Sequence, residues 1–161
     1  RITLDVILDL GPATGQQQLE RVLNRGRNGR PGLRLSADSI RTRFARNVPN
    51  PYSLVIREAD SLLISREQLE ALRAGEARFR VRTDSLWLLL ARELAELSDG
   101  YDVATATRQT EATTEAVWEV ARSEGRRIKD ILSPLQYTLA PGMVQYLGNV
   151  EGRVQLRMYS Y

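Results

Sequence analysis

The sequence predicts a mainly α protein: an antiparallel helical hairpin plus a short third helix, with a β-strand near each terminus. Three observations lead there. Ser65 and Gln68, and again Ser133 and Gln136, stand at the Ser-x-x-Gln spacing of a capping box, so each pair marks the start of a helix. Between them, apolar residues recur at helical steps over residues 65–97 and 102–132, with Ser98-Asp99-Gly100 in the gap. At residues 2–10 and 153–158 the step drops to two, the period of a strand.

Residues 1–12 form the first unit. Ile2, Leu4, Val6, Leu8 and Leu10 alternate with Arg1, Thr3, Asp5, Ile7 and Asp9 before Gly11-Pro12 closes the run. This predicts a strand with one apolar face, half-buried in a soluble sheet or spanning a membrane with Asp5 and Asp9 toward a polar lumen. The alternation alone favours the first placement. Only one other strand is expected, with Val154, Leu156 and Met158 on one face, in the closing unit 148–161. Two isolated strands are marginal in water, so the scarcity of strands points to a sheet built mainly from residues outside this chain.

Residues 13–51 read as short helices and a linker. A helix over 14–24 is expected, capped by Thr14 with Gln17 at the third position. Residues 25–32 are a basic linker whose Arg25, Arg27 and Arg30 are possible anion contacts. No aromatic residue is interleaved for base stacking, so a solvated linker is the preferred reading and nucleic acid is not expected as a partner. A second short helix follows over 36–46, with Ile40 and Phe44 on one face, and Pro49-Asn50-Pro51 breaks the pattern.

Residues 52–147 are the predicted helical module, entered through a short apolar segment at 52–63. Ile64 and Leu69 can form a hydrophobic staple around the first capping box. Leu69, Leu72, Phe79, Leu86, Leu90 and Leu97 keep to one face of the first long helix, where Gly75 is a weak spot and a candidate kink. Asp102 caps the second long helix, whose stripe runs through Val103, Ala106, Thr110, Thr113, Val117 and Val120 toward Ile128 and Ile131. A tight turn between two long amphipathic helices predicts the antiparallel hairpin. The third helix, 134–140, opens with proline at its first position, and Pro141-Gly142 ends it. Residues 143–147 fit a helical turn or a short strand. Phe79, Leu86, Trp87 and Trp118 supply the bulky core in the plainer reading and a ligand-binding aromatic site in the sharper one.

Composition excludes much chemistry. The chain of 161 residues, 42% hydrophobic and 27% charged, suits one folded domain, and it contains neither cysteine nor histidine. Disulfides, thiolate ligands and Cys nucleophiles are therefore absent, as are the commonest general base and the commonest metal ligand. Ser65 and Ser133 have no histidine to activate them, Asp99 and Asp102 read as helix caps, and Gly26, Gly29 and Gly32 lack the setting of a phosphate loop. No enzyme activity, metal or cofactor is expected. A net charge of +3 is too mild to name a partner. The longest apolar run, 86–91, is too short for a transmembrane helix, and a start at Arg1 without a signal-peptide pattern suggests a processed product or a piece of a longer protein.

Two resemblances sit on these motifs. Ile64-Ser65-Arg66-Glu67-Gln68 and Leu132-Ser133-Pro134-Leu135-Gln136 resemble the Leu-Thr-x-x-Gln motif of periplasmic helical proteins, a family of ATP-independent chaperones and envelope-stress regulators. Serine replaces threonine in both copies, and isoleucine replaces leucine in the first. The longer pattern is Asp9-Leu10-Gly11-Pro12, the Arg/Gly linker, Val48-Pro49-Asn50-Pro51, then Asp60-Ser61-Leu62 before a Ser-x-x-Gln helix. It is similar to the C-terminal end of large TonB-dependent-receptor-like outer-membrane proteins that carry a helical periplasmic extension.

That resemblance implies a location in the bacterial cell envelope, with residues 2–10 as the last barrel strand and contact with the outer membrane through it. The implied partners are envelope proteins or the rest of the same chain, and the implied role is binding or structural. No plug domain, TonB box or transport residue falls within this sequence. A free-standing periplasmic chaperone or stress sensor is the alternative, gripping unfolded clients with an apolar face of Leu72, Phe79, Leu86, Trp87, Leu90, Val117 and Trp118. An arginine-rich nucleic-acid-binding protein is the third reading. The transported substrate and the oligomeric state stay open.

Overall fold

The structure, a computed structural model, describes residue 19 and residues 35–97 and 102–149. Six helices run through these residues: α1 (Ala37–Ala45), α2 (Pro51–Arg57), α3 (Arg66–Ala95), α4 (Val103–Ile131), α5 (Pro134–Leu139) and α6 (Gly142–Asn149). The long α3 and α4 pack together as the hairpin, α1 and α2 lie on α3, and α6 lies on α4.

Local chemistry sets each start. Ser36 caps α1 by accepting from the Ser39 N–H at 3.2 Å. Asn50 caps α2 by accepting from the Tyr52 N–H at 3.1 Å, with Pro51 at the first helical position. Pro49-Asn50-Pro51 is therefore a helix entry as well as a break, because proline there lacks only an N–H that the helix would leave unpaired. Asp102 caps α4, accepting from the Ala104 N–H at 3.1 Å and from the Thr105 hydroxyl at 2.6 Å.

The core runs along the hairpin and out under α1, α2 and α6. Phe44 of α1 stacks on Trp87 of α3 with ring centroids 5.4 Å apart. Leu72, Phe79, Leu90, Val117 and Ile128 are buried with them, as are Val144 and Leu147 of α6. Thr83 and Thr110 are buried on the same faces, their hydroxyls turned back to the Phe79 and Ala106 carbonyls at 2.9 and 2.8 Å. Such back-bonding lets a threonine occupy an apolar stripe without an unpaired hydroxyl.

One expectation needs correction. The fold class is helical alone: no strand occurs among the described residues, so the β-strand near each terminus is not part of the observed architecture. Residues 2–10 and 153–158 themselves lie outside the described residues. Alternation marks which side of a segment is apolar but not what it pairs with, and the described domain offers no strand edge to pair with. Residues 143–147 are helical, inside α6, because Val144 and Leu147 three apart present one face to α4.

Gly75, the candidate kink, stands where another helix packs closely. The helix continues through it without interruption. A Cβ there would stand 2.2 Å from ring carbons of Tyr52. The glycine marks the place where the Tyr52 ring lies across α3. Gly125 does the same for α6, since a Cβ on it would stand 2.7 Å from the Leu147 Cβ.

Candidate functional site

The two capping boxes form as the spacing predicts, and they form against each other. The Gln68 N–H donates to Ser65 Oγ at 3.1 Å and the Ser65 N–H to Gln68 Oε1 at 3.0 Å. Ser133 and Gln136 repeat this at 3.2 and 2.9 Å. Because the hairpin returns the end of α4 to the start of α3, the two glutamine side chains meet. Gln68 Nε2 donates to Gln136 Oε1 at 2.8 Å, and Gln136 Nε2 donates back to Gln68 Oε1 at 3.1 Å.

The remaining amide hydrogens close the surrounding backbone. Gln68 Nε2 also donates to the Ile131 carbonyl at 3.0 Å, the last residue of α4. Gln136 Nε2 also donates to the Leu62 and Leu63 carbonyls at 3.2 and 3.3 Å, in the turn before α3. Each amide oxygen accepts two bonds, and each NH2 group donates to at least two carbonyl or amide oxygens, so neither side chain has capacity left for a ligand. Glutamate would serve a capping box equally well. Here it would remove the donors and set two carboxylates face to face, which accounts for glutamine at both positions. Leu63, whose carbonyl joins the clasp, has φ of 51°, the left-handed region that non-glycine residues rarely adopt.

The second polar constellation lies in the middle of the hairpin. Glu124 of α4 is wholly buried. Arg78 of α3 grips it with two bonds, Nε to Oε1 at 3.0 Å and Nη2 to Oε2 at 2.7 Å. Arg82, one turn on, adds Nη1 to Oε1 at 3.0 Å, and the Tyr52 hydroxyl donates to Oε2. Arg78 Nη2 also donates to the Tyr52 oxygen at 2.9 Å. Burial pushes the Glu124 carboxyl up. Hydrogen bonds from Arg78 and Tyr52 and the charges of Arg78 and Arg127 outweigh it and hold the group at about 2. Burial and the neighbouring carboxylate raise the Tyr52 phenol well above its ordinary value, so it stays neutral and can donate. The arrangement ties α2, α3 and α4 at one point. Its phenol is kept protonated, and its carboxylate is fully occupied by donors.

The sequence reasoning missed this cluster, although a signal was present. The stripe of α4 steps from Val117 through Val120 to Ile128, and Glu124 fills the position between Val120 and Ile128 at steps of four. A carboxylate on an apolar stripe needs a partner, and arginine on the facing helix is the natural one.

The other predicted site residues fall into three groups. Leu72, Phe79, Trp87, Leu90, Val117 and Trp118 are buried in the core, and Leu86 is partly buried against it. They line the interior of the hairpin and do not form an open face. Ile64 is half-buried and Leu132 buried beside the clasp. Arg25, Arg27 and Arg30 lie outside the described residues. Among the described residues no group of carboxylates could hold a metal ion, and no helix is long and apolar enough to cross a membrane. Comparison with protein-family models, with curated proteins and with solved structures finds no match for this chain.

Proposed function

We propose that the chain is a non-enzymatic helical module of the bacterial cell envelope, serving as the C-terminal periplasmic extension of an outer-membrane receptor-like protein with a structural and binding role. The observation that carries the proposal is the clasp. Two short motifs, with Gln68 and Gln136 separated by 68 positions in sequence, join in one saturated hydrogen-bonded unit. A lone capping box is an ordinary helix start; two that complete each other form a single device. Their likeness to the periplasmic Leu-Thr-x-x-Gln motif therefore has more weight than either copy gives alone. Burial of Leu72, Phe79, Trp87, Leu90, Val117 and Trp118 favours the extension over a chaperone that works through an open apolar groove.

The test is where the module lives and what it is attached to. An antibody against residues 65–132 is used to blot fractionated envelopes of the source cell, with and without boiling. A large band in the outer membrane whose mobility changes on boiling is the expected result. A small band released with the soluble periplasm, or a cytosolic band, overturns the proposal.

A further inference from the structure

We propose that Arg78, Arg82 and Arg127 form a binding site for a phosphate group, with Glu124 as the buried anchor that aims the first two. Arg78 Nε and Arg82 Nη1 both donate to the same oxygen, Glu124 Oε1, at 3.0 Å, which holds two like-charged guanidiniums side by side. Arg127, one turn along α4 from Glu124, is exposed and close enough to act on its charge. Among the described residues Arg127 makes no ion pair, and Arg82 makes one hydrogen bond with its five N–H groups.

Two guanidiniums grip the one carboxylate of Glu124, which leaves one positive charge at the pair itself, and Arg127 adds another within range of the same group. No other carboxylate stands one turn from Arg78, Arg82 or Glu124 on either helix, and Asp130, one turn from Arg127, makes no ion pair with it. The side chains of Arg78 and Arg82 keep 37% and 44% of their surface exposed, so N–H groups not turned to Glu124 face solvent. Arginines pinned from below by a buried acid cannot fold away, and guanidinium forks with unused donors match the oxygens of a phosphate. The buried pair alone would have been complete with one arginine. The second and third are what call for an external anion. The phosphate can be a soluble group or a lipid headgroup; exposed Val81 and Leu89, on the same side of α3 as the two arginines, give the second source an apolar footing.

The test uses the full 161-residue chain. Its thermal midpoint is followed in sodium phosphate and in sodium chloride at matched ionic strength, for the parent, for Arg127→Gln, and for Arg73→Gln, which removes a charge from another face of α3. Arg127→Gln breaks none of the bonds to Glu124, so it folds as the parent does. Phosphate should raise the midpoint more than chloride. Arg127→Gln should weaken the phosphate effect about 3- to 10-fold, and Arg73→Gln should not change it.

In a second arm the chain is sedimented with phosphatidylcholine vesicles containing or lacking phosphatidylglycerol. Co-sedimentation that needs the anionic lipid and falls with Arg127→Gln assigns the site to a headgroup. A phosphate effect without co-sedimentation assigns it to a soluble group. Phosphate no better than chloride together with no lipid-dependent sedimentation overturns the proposal, as does an equal loss in Arg73→Gln.

Discussion

Replacing Glu124 with glutamine probes the buried cluster with almost no change of shape. In the parent, the carboxylate is held from its ordinary 4.5 down to about 2 by Arg78, Tyr52 and Arg127. At about 1.4 kcal/mol per pH unit, that displacement corresponds to roughly 3 kcal/mol of folding stability. The figure falls within the range of about 3–5 kcal/mol for breaking a buried ion pair, and solvent exposure of both arginines places the expected loss at the lower end. The sign follows from the lowered folded-state value. The contribution is complete above about pH 4.5 and is lost as pH falls through about 2. Urea denaturation followed by tryptophan fluorescence should therefore show Glu124→Gln less stable than the parent by about 2–3 kcal/mol at pH 7. The two curves should converge toward pH 2, where the parent carries a protonated acid shaped like the amide. A loss below about 0.5 kcal/mol at pH 7, or a gap that stays constant down to pH 2, would refute the assignment of Glu124 as an ionised, arginine-held carboxylate.

Gly75→Ala should reverse the usual helix preference: the Tyr52 ring leaves no room for a Cβ, so it destabilises by about 1–3 kcal/mol. In a Tyr52→Ala background the same change should stabilise by up to about 1 kcal/mol, and loss in both backgrounds would contradict the close contact. Leu63→Asn should raise stability by about 0.5–1 kcal/mol, because the leucine holds a left-handed backbone while 84% exposed and gives up no packing. Gln68→Glu keeps the capping acceptor but removes the donors to Ile131 and Gln136. It should lose about 1–2 kcal/mol by chemical denaturation, and a neutral result would mean that the cap alone matters.

What the sequence discloses depends on how local the cause is. The long helices were legible because caps and apolar steps are written within a few residues of one another; Ser65, Asp102 and Ser133 all cap where their side chains indicate. The second helix was missed because Pro51 was weighed as a breaker, when Asn50 before it makes it a first-turn residue. The reason for a glycine at position 75 was not legible either. The cause, the Tyr52 ring, lies on another helix, and nothing near Gly75 in sequence points to it.

The clasp shows the same limit from the other side. Each Ser-x-x-Gln motif could be recognised alone, but that the two glutamines meet depends on the lengths of α3 and α4 returning the chain to its starting level. The strand expectations at the chain ends rested on alternation alone, which is local, whereas a strand is completed by a partner that is not.

A double-mutant cycle on Gln68 and Gln136 tests the clasp most directly. Stability is measured by chemical denaturation for the parent, Gln68→Ala, Gln136→Ala and the double variant. Two reciprocal amide bonds at 2.8 and 3.1 Å predict a coupling of about 1 kcal/mol or more, the double variant losing less than the two single losses together. Losses that add to within about 0.3 kcal/mol would mean two independent helix caps that happen to be neighbours, and would remove the observation on which the proposed function rests.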